Sequence, residues 1–281
     1  AAFDGVVEQT VDGVVVVLVV LCGIDATLRC NGVGAARRVA DAEDFDIVAK
    51  LSERSGCGSA AKAGADHVVV VLNLSTTMEV GILTEGEYEV DAILHVGSLG
   101  ATGATAVGQV IAGQINPSGR TTDLWAADFT KDPTFNNFGS FQYTDVSGFY
   151  TQTGDGAYFV EYEEGIYYGY RYYETAAVEG FIDYDEAVVF PFGYGLSYTD
   201  FEEKIDNFAD NGDSISFDVT VTNEGDVAGK DVVEVYVNPP YTNKGIEKSS
   251  ANLVQFEKTS LLAPGASVGV RLEKQGWSSV G

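Results

Sequence analysis

The run Val14-Val-Val-Val-Leu-Val-Val20 constrains this chain more than any other stretch, because it is apolar at every position. A strand wetted on one side alternates apolar and polar residues. A strand without alternation has to be covered on both faces, the habit of parallel sheets flanked by helices. His67-Val-Val-Val-Val-Leu-Asn73 repeats the pattern and Ala92-Ile-Leu-His-Val96 is a shorter case. Between the first two lies an Ala-rich, charge-bearing stretch, 35–50, of helical composition. After the third come Gly97-Ser-Leu-Gly-Ala-Thr-Gly103 and a small-residue helix expected over 104–113. This order is the grammar of right-handed βαβ crossovers, so an α/β fold with a largely parallel sheet is expected first.

A different grammar takes over from about Ile205. Ser214-Ile-Ser-Phe-Asp-Val-Thr-Val-Thr222 alternates, with Ile215, Phe217, Val219 and Val221 on one face. Asn223-Glu-Gly-Asp226 is a turn, 231–237 the next strand, and 253–258 and 267–272 two more, parted by Pro264-Gly265. Short alternating strands with regular turn signals predict an all-β sandwich of immunoglobulin or fibronectin type III kind. Between the two patterns, 116–173 is rich in Gly, Asp and Tyr without a sustained period, and is expected to form long ordered loops with short strands. The expected domains are 1–204, α/β with long Gly/Tyr-rich loops over 115–200, and 205–281, all-β.

Charge narrows the partners. Asp and Glu number 42 against 16 Lys and Arg, a formal net charge of −26. Such a surface repels nucleic-acid phosphates and anionic membrane surfaces, whereas neutral ligands such as sugars stay open. The longest apolar run, Val14 to Cys22, falls short of the roughly 18 residues of a membrane span. Cys22, Cys30 and Cys57 lack CxxC spacing and there are two histidines, so no zinc site is expected. Neither the cysteines nor the first residues fix a compartment. Gly97-x-x-Gly100-x-x-Gly103 departs from the GxGxxG of dinucleotide sites, and Asp123, near the right distance, follows a turn instead of a strand. No metal or organic cofactor is expected.

Four phrases, taken in order, carry a resemblance. They are Gly113-Gln-Ile-Asn-Pro-Ser-Gly-Arg120, Tyr162-Glu-Glu-Gly-Ile-Tyr-Tyr-Gly-Tyr-Arg-Tyr-Tyr-Glu174, Phe190-Pro-Phe-Gly-Tyr-Gly-Leu-Ser-Tyr-Thr199, and Val219-Thr-Val-Thr-Asn-Glu-Gly-Asp-Val-Ala-Gly229 with Glu234-Val-Tyr236 behind it. Together they resemble the C-terminal half of glycoside hydrolase family three, the β-glucosidase and β-xylosidase family, from about residue 65 onward. The resemblance implies an α/β three-layer sandwich followed by a fibronectin type III-like domain. It also implies a catalytic (β/α)8 barrel, for which roughly 200 further residues would be needed, so that barrel is not expected in this chain. The implied function is part of a retaining hydrolase of β-glycosides. The chain would form part of the sugar-pocket wall, support a barrel in the same or a companion chain, and be inactive alone. The alternative is a non-catalytic glycan-binding or structural interaction module.

Retaining hydrolysis needs two carboxyl groups about 5–5.5 Å apart. The resemblance places the nucleophile on the barrel and the acid/base Glu in a Ser-Gly-Glu-Gly-like phrase after a Val-rich strand. Here that phrase reads Cys22-Gly-Ile-Asp25. Ile24 at the Glu position cannot transfer a proton, so Asp25 is the acid/base candidate, at the strand end where α/β ligand sites gather. Glu163 and Glu164 form a second acidic pair, read as scaffold. Among the tyrosines of 165–173, expected as a ribbon, Tyr170 with Arg171 is the candidate sugar contact, against core packing as the alternative. Arg120 is expected in a structural ion pair, and 190–199 as close-packed scaffold around Gly193 and Gly195.

Overall fold

The structure, a computed structural model, describes residues 14–20, 67–100, 102–137, 141–143, 158–240 and 244–275, with the backbone alone for 14–20 and 275. The helix expected over 35–50 lies outside the described residues. The chain divides into two compact units, 1–115 and 116–281.

In the first unit, β1 (Val14–Val20), β2 (His67–Asn73) and β3 (Ala92–His95) form a parallel sheet in the order β1-β2-β3. Val14 pairs with His67 and Val69 with Ala92, in unbroken register. β2 is therefore central, and Val68, Val70, Val71 and Leu72 are all buried, which is the physical reason its sequence does not alternate. β3 leads through Gly97 and Gly100, both left-handed at φ +59° and +63°, into α1 (Gly103–Ile111). Those two glycines make the strand-to-helix turn.

The second unit contains β4 (Trp125–Ala126), α2 (Tyr170–Val178), β5 (Val188–Phe190), β6 (Phe201–Asp210), β7 (Ser214–Asn223), β8 (Val232–Val237), β9 (Asn252–Lys258) and β10 (Ser267–Gln275). β4 pairs antiparallel with β5. Around them Leu124, Ala126, Tyr173 and Val188 form a small core.

Here the sequence expectation fails: 170–173 is the first turn of a helix and not a ribbon. Gly169, at φ +54°, breaks the extended path, and Tyr173 and Ala176, three residues apart, turn inward on one face. Five tyrosines within the seven residues 167–173 read as strand-forming, and packing against β4 and β5 overrides that preference.

β6, β7 and β10 form an antiparallel sheet in the order β10-β7-β6, and β8 pairs antiparallel with β9. The alternation of β7 is realised as read: Ile215, Phe217, Val219 and Val221 are buried with Val233, Leu262, Val270 and Leu272. Each such side chain contributes about 1.5–3 kcal/mol by leaving water. Strand structure begins at Phe201, earlier than expected, because the acidic and exposed β6 hides its pattern. β6 carries a bulge between Asp206 and Ala209, with Asn207 at φ +54°. Among the described residues every sheet is open, with two or three strands, and no barrel closes.

Candidate functional site

Asp25, and with it Cys22 and Ile24, lies outside the described residues. The four phrases singled out in the sequence fall largely within them, and the structure brings parts of all four together in the second unit.

The turn 116–120 is the centre of this assembly. Asn116 Oδ1 accepts from Ser197 Oγ at 3.0 Å and from Tyr198 N–H at 2.8 Å, while its Nδ2 donates to the Ala228 carbonyl at 3.3 Å. Arg120 donates through Nη1 to the Gly195 carbonyl at 2.7 Å and through Nη2 to Asp231 Oδ1 at 2.6 Å. The ion pair expected for Arg120 is thus present, and its partner is Asp231. Thr121 exchanges backbone hydrogen bonds with Gly193 and Tyr194, and its hydroxyl donates to the Pro191 carbonyl at 2.7 Å. Lys258 Nζ adds a bond to the Ser118 carbonyl at 2.7 Å.

Glycine is required where these segments touch. A Cβ on Gly193, already at φ +78°, would strike the Glu234 carboxylate, and one on Gly195 would strike the Gly119 carbonyl. The scaffold reading of 190–199 accounts for both.

Asn223 closes the other side. It is fully buried, accepts from Thr199 Oγ1 at 2.6 Å and Gly225 N–H at 3.1 Å, and donates to the carbonyls of Val227 and Leu262 at 2.9 and 3.0 Å. All four hydrogen bonds of a side-chain amide are made.

Electrostatics around the ion pair are crowded. Glu203 is exposed, yet partial desolvation by the groups around it raises its pKa above the usual carboxylate range, Asp231 and Glu234 push the same way, and Arg120 opposes them. Lys258 is pulled below the usual lysine range by burial, helped by Lys230 and Arg120.

The two candidate sugar contacts stand at the start of α2. The Tyr170 ring lies 4.7 Å from that of Phe192 and edge-on to Tyr236 at 6.1 Å, and its hydroxyl accepts from Leu253 N–H at 3.0 Å. Tyr170 therefore ties α2 to β8 and β9. The Arg171 guanidinium sits 5.5 Å from the ring centroids of both Tyr168 and Tyr170, and Nη1 donates to the Tyr168 hydroxyl at 3.1 Å. That arrangement holds the cation by cation–π attraction and leaves its other N–H groups without a carboxylate partner among the described residues. Of Glu163 and Glu164, the latter accepts from Asn137 Nδ2 at 2.5 Å, a structural contact.

Asp123 belongs to the second unit, whereas Gly97, Gly100 and Gly103 belong to the first. Burial raises its pKa, the Leu124 N–H lowers it and Asp132 raises it. Nearby, a cleft of about 200 Å³ is lined by Asp128, Lys131, Tyr173, Ile182, Asp183 and Glu186. This is below the ~300 Å³ at which ligand pockets begin. Tyr173, 2% exposed, keeps its hydroxyl beside Asp132 without a hydrogen bond of ordinary geometry, and burial first, then Asp132, raises its pKa. No group of three or more metal-ligating side chains occurs among the described residues.

Sequence reasoning missed Asn116, Asn223 and Asp231. The first two do carry a signal, an Asn before Pro and an Asn ending an alternating strand, but neither reveals its partner.

Comparison with known proteins places this geometry. Residues 14–198 match the glycosyl hydrolase family 3 C-terminal domain. The chain is 34% identical over 197 residues to a β-glucosidase of Ruminococcus albus, covering 70% of this chain and 18% of that protein. It is 29% identical over 265 residues to β-glucosidase A of Butyrivibrio fibrisolvens, covering 88% of this chain and 29% of that one. Among solved structures, a β-glucosidase from Paenibacillus barengoltzii superposes with a TM-score of 0.64 at 31% identity, covering 76% of this chain and 21% of the other. The chain thus spans less than a third of the length of these relatives.

Proposed function

This chain belongs to the glycosyl hydrolase family 3 C-terminal domain family, and from that membership we propose that it is the C-terminal portion of a retaining β-glucosidase-like hydrolase. The observation that carries the reading is the family match over 14–198, joined to relatives named β-glucosidase. On this reading the substrate is a β-glucoside-type carbohydrate. The nucleophile comes from a barrel domain that completes the sugar pocket, and the second unit described above is its rigid support.

The finer fold belongs to the same proposal. The parallel β1-β2-β3 sheet supports a three-layer α/β arrangement for 1–204, and the facing antiparallel sheets support a fibronectin type III-like sandwich for 205–281. This boundary divides family modules, whereas the compact units part between 115 and 116. Asp25 remains the acid/base candidate and Tyr170 with Arg171 the substrate contacts. Arg171 is the group of the two with donors to spare, and Tyr170 holds it in place.

The test is hydrolysis of an aryl β-glucoside. The 281-residue chain alone is expected to give background rates, and the enzyme at its native length is expected to turn over. In that enzyme Asp25→Ala should lower kcat by orders of magnitude, with recovery in azide. Unchanged turnover removes Asp25 from the mechanism. Turnover by the isolated chain overturns the whole reading.

A further inference from the structure

Two asparagines of the chain precede glycine, Asn31 and Asn211. The first lies outside the described residues. The second stands in the turn between β6 and β7, where Asn211, Gly212 and Asp213 are all exposed. Asn211 N–H donates to the Ser214 carbonyl at 2.9 Å, closing the two-residue hairpin loop Gly212-Asp213. Gly212 takes φ +85°, the left-handed backbone such a loop needs. The residue that makes the turn also bares its own peptide nitrogen: it carries no Cβ, and the space a Cβ would fill is open to 4 Å.

Asparagine is a thermolabile residue, and its weak point is attack of the following backbone nitrogen on its own side-chain carbonyl carbon. The groups around Asn211 are arranged for that attack. Gly212 N–H donates to Asp210 Oδ1 at 2.8 Å, so a carboxylate already holds the proton that must leave. The Asn211 amide is lightly held, its Nδ2 reaching Ser214 Oγ at 3.4 Å, a long contact. That hydroxyl stands beside the nitrogen that would depart. Asn223 is the opposite case: it is fully buried, its amide is fixed by four hydrogen bonds, and Glu224 follows it.

We propose that Asn211-Gly212 is a self-modification site, with Asp210 as the base and water as the co-reactant. The Gly212 nitrogen gives its proton to Asp210 and bonds to Asn211 Cγ. As that carbon becomes tetrahedral, Nδ2 turns from donor to acceptor and takes the Ser214 hydroxyl proton. The Cγ–Nδ2 bond then breaks, ammonia leaves, and exchange with solvent returns the proton from Asp210 to Ser214. Water opens the cyclic imide at either carbonyl, so residue 211 becomes aspartate or isoaspartate with no change of oxidation state. Either product sets a new negative charge between Asp210 and Asp213. Isoaspartate also lengthens the backbone at the hairpin and breaks the bond from residue 211 to Ser214. None of this chemistry depends on the hydrolase reading.

The test incubates the full chain at neutral pH in heavy-oxygen water, once folded and once in urea. The peptide carrying residue 211 is followed by mass spectrometry, with an isoaspartyl methyltransferase assay alongside. Conversion should run faster in the folded chain than in urea, where Asp210 is no longer held against the Gly212 N–H. Asp210→Asn keeps an oxygen acceptor but removes the base. It should slow conversion of the folded chain roughly tenfold or more and leave the rate in urea unchanged. Asn223 should remain an amide throughout the folded incubation. Folded conversion no faster than in urea overturns the proposal. So does a rate that Asp210→Asn leaves unchanged, or slows equally in urea.

Discussion

Arg120 and Asp231, 111 positions apart in sequence, meet at 2.6 Å with side chains 19% and 10% exposed. One end of this pair belongs to the turn 116–120 and the other immediately precedes β8, so the contact locks that turn onto the start of β8. A half-dry, charge-assisted bond of this kind is strong once made, and removing one partner strands the other charge.

Asp231→Ala should therefore destabilise the second unit by about 3 kcal/mol, read as a lowered urea midpoint. Arg120→Gln should act in the same direction. The double variant should lose clearly less than the sum, because each single change already abolishes the shared contact.

Asn223→Ala is expected to destabilise by about 3 kcal/mol, since it orphans several buried groups together. Asn223→Asp should be at least as damaging. A carboxylate cannot donate to the Val227 and Leu262 carbonyls, and would be buried without a cation. Thermal unfolding of the two variants beside Asn223→Gln checks the ranking.

Two glycines with similar backbone angles should behave differently. Gly193 has φ +78° and Glu234 in the way, whereas Gly212 has φ +85° and open space. Gly212→Ala should cost about 1 kcal/mol from backbone strain alone. Gly193→Ala should cost at least about twice that and also disturb the Tyr236–Glu234 hydrogen bond at 2.6 Å. Chemical unfolding of the pair measures the difference.

Glu203 predicts a pH dependence of known sign. Its folded-state pKa is raised, chiefly by partial desolvation and then by Asp231, above the ordinary glutamate value of 4.5. Its contribution is fully favourable below that ordinary value and is lost as pH rises through the folded-state pKa. Glu203→Gln should raise the melting temperature at pH 7, and the gain should vanish as pH falls below 4.5. A gain that grows on acidification contradicts the assignment.

What the sequence disclosed follows from what a local pattern can encode. β2 and β7 were legible because burial on two faces and on one face leaves different spacings of Val and Ile. α2 was not, because its tyrosines favour strands and its helical face is defined by a core that lies elsewhere in the chain. At the candidate site, Arg120 was readable as an ion-pair former from the acidic composition alone. Asp231 as its partner was not readable, since nothing local distinguishes it among the chain's 42 acids. The partners of Asn116 and Asn223 were hidden for the same reason: their three- and four-bond environments draw on segments far apart in the chain.

The clasp between Arg120 and Asp231 also sets an order of events during synthesis. At roughly 5–20 residues per second a ribosome needs on the order of ten seconds to travel from one residue to the other. For about the last half of that interval the tyrosine-rich segment, 162–173, exists without the strands that fasten it. Its protection from premature aggregation then falls to its own negative charge, or to whatever chaperone reaches it first.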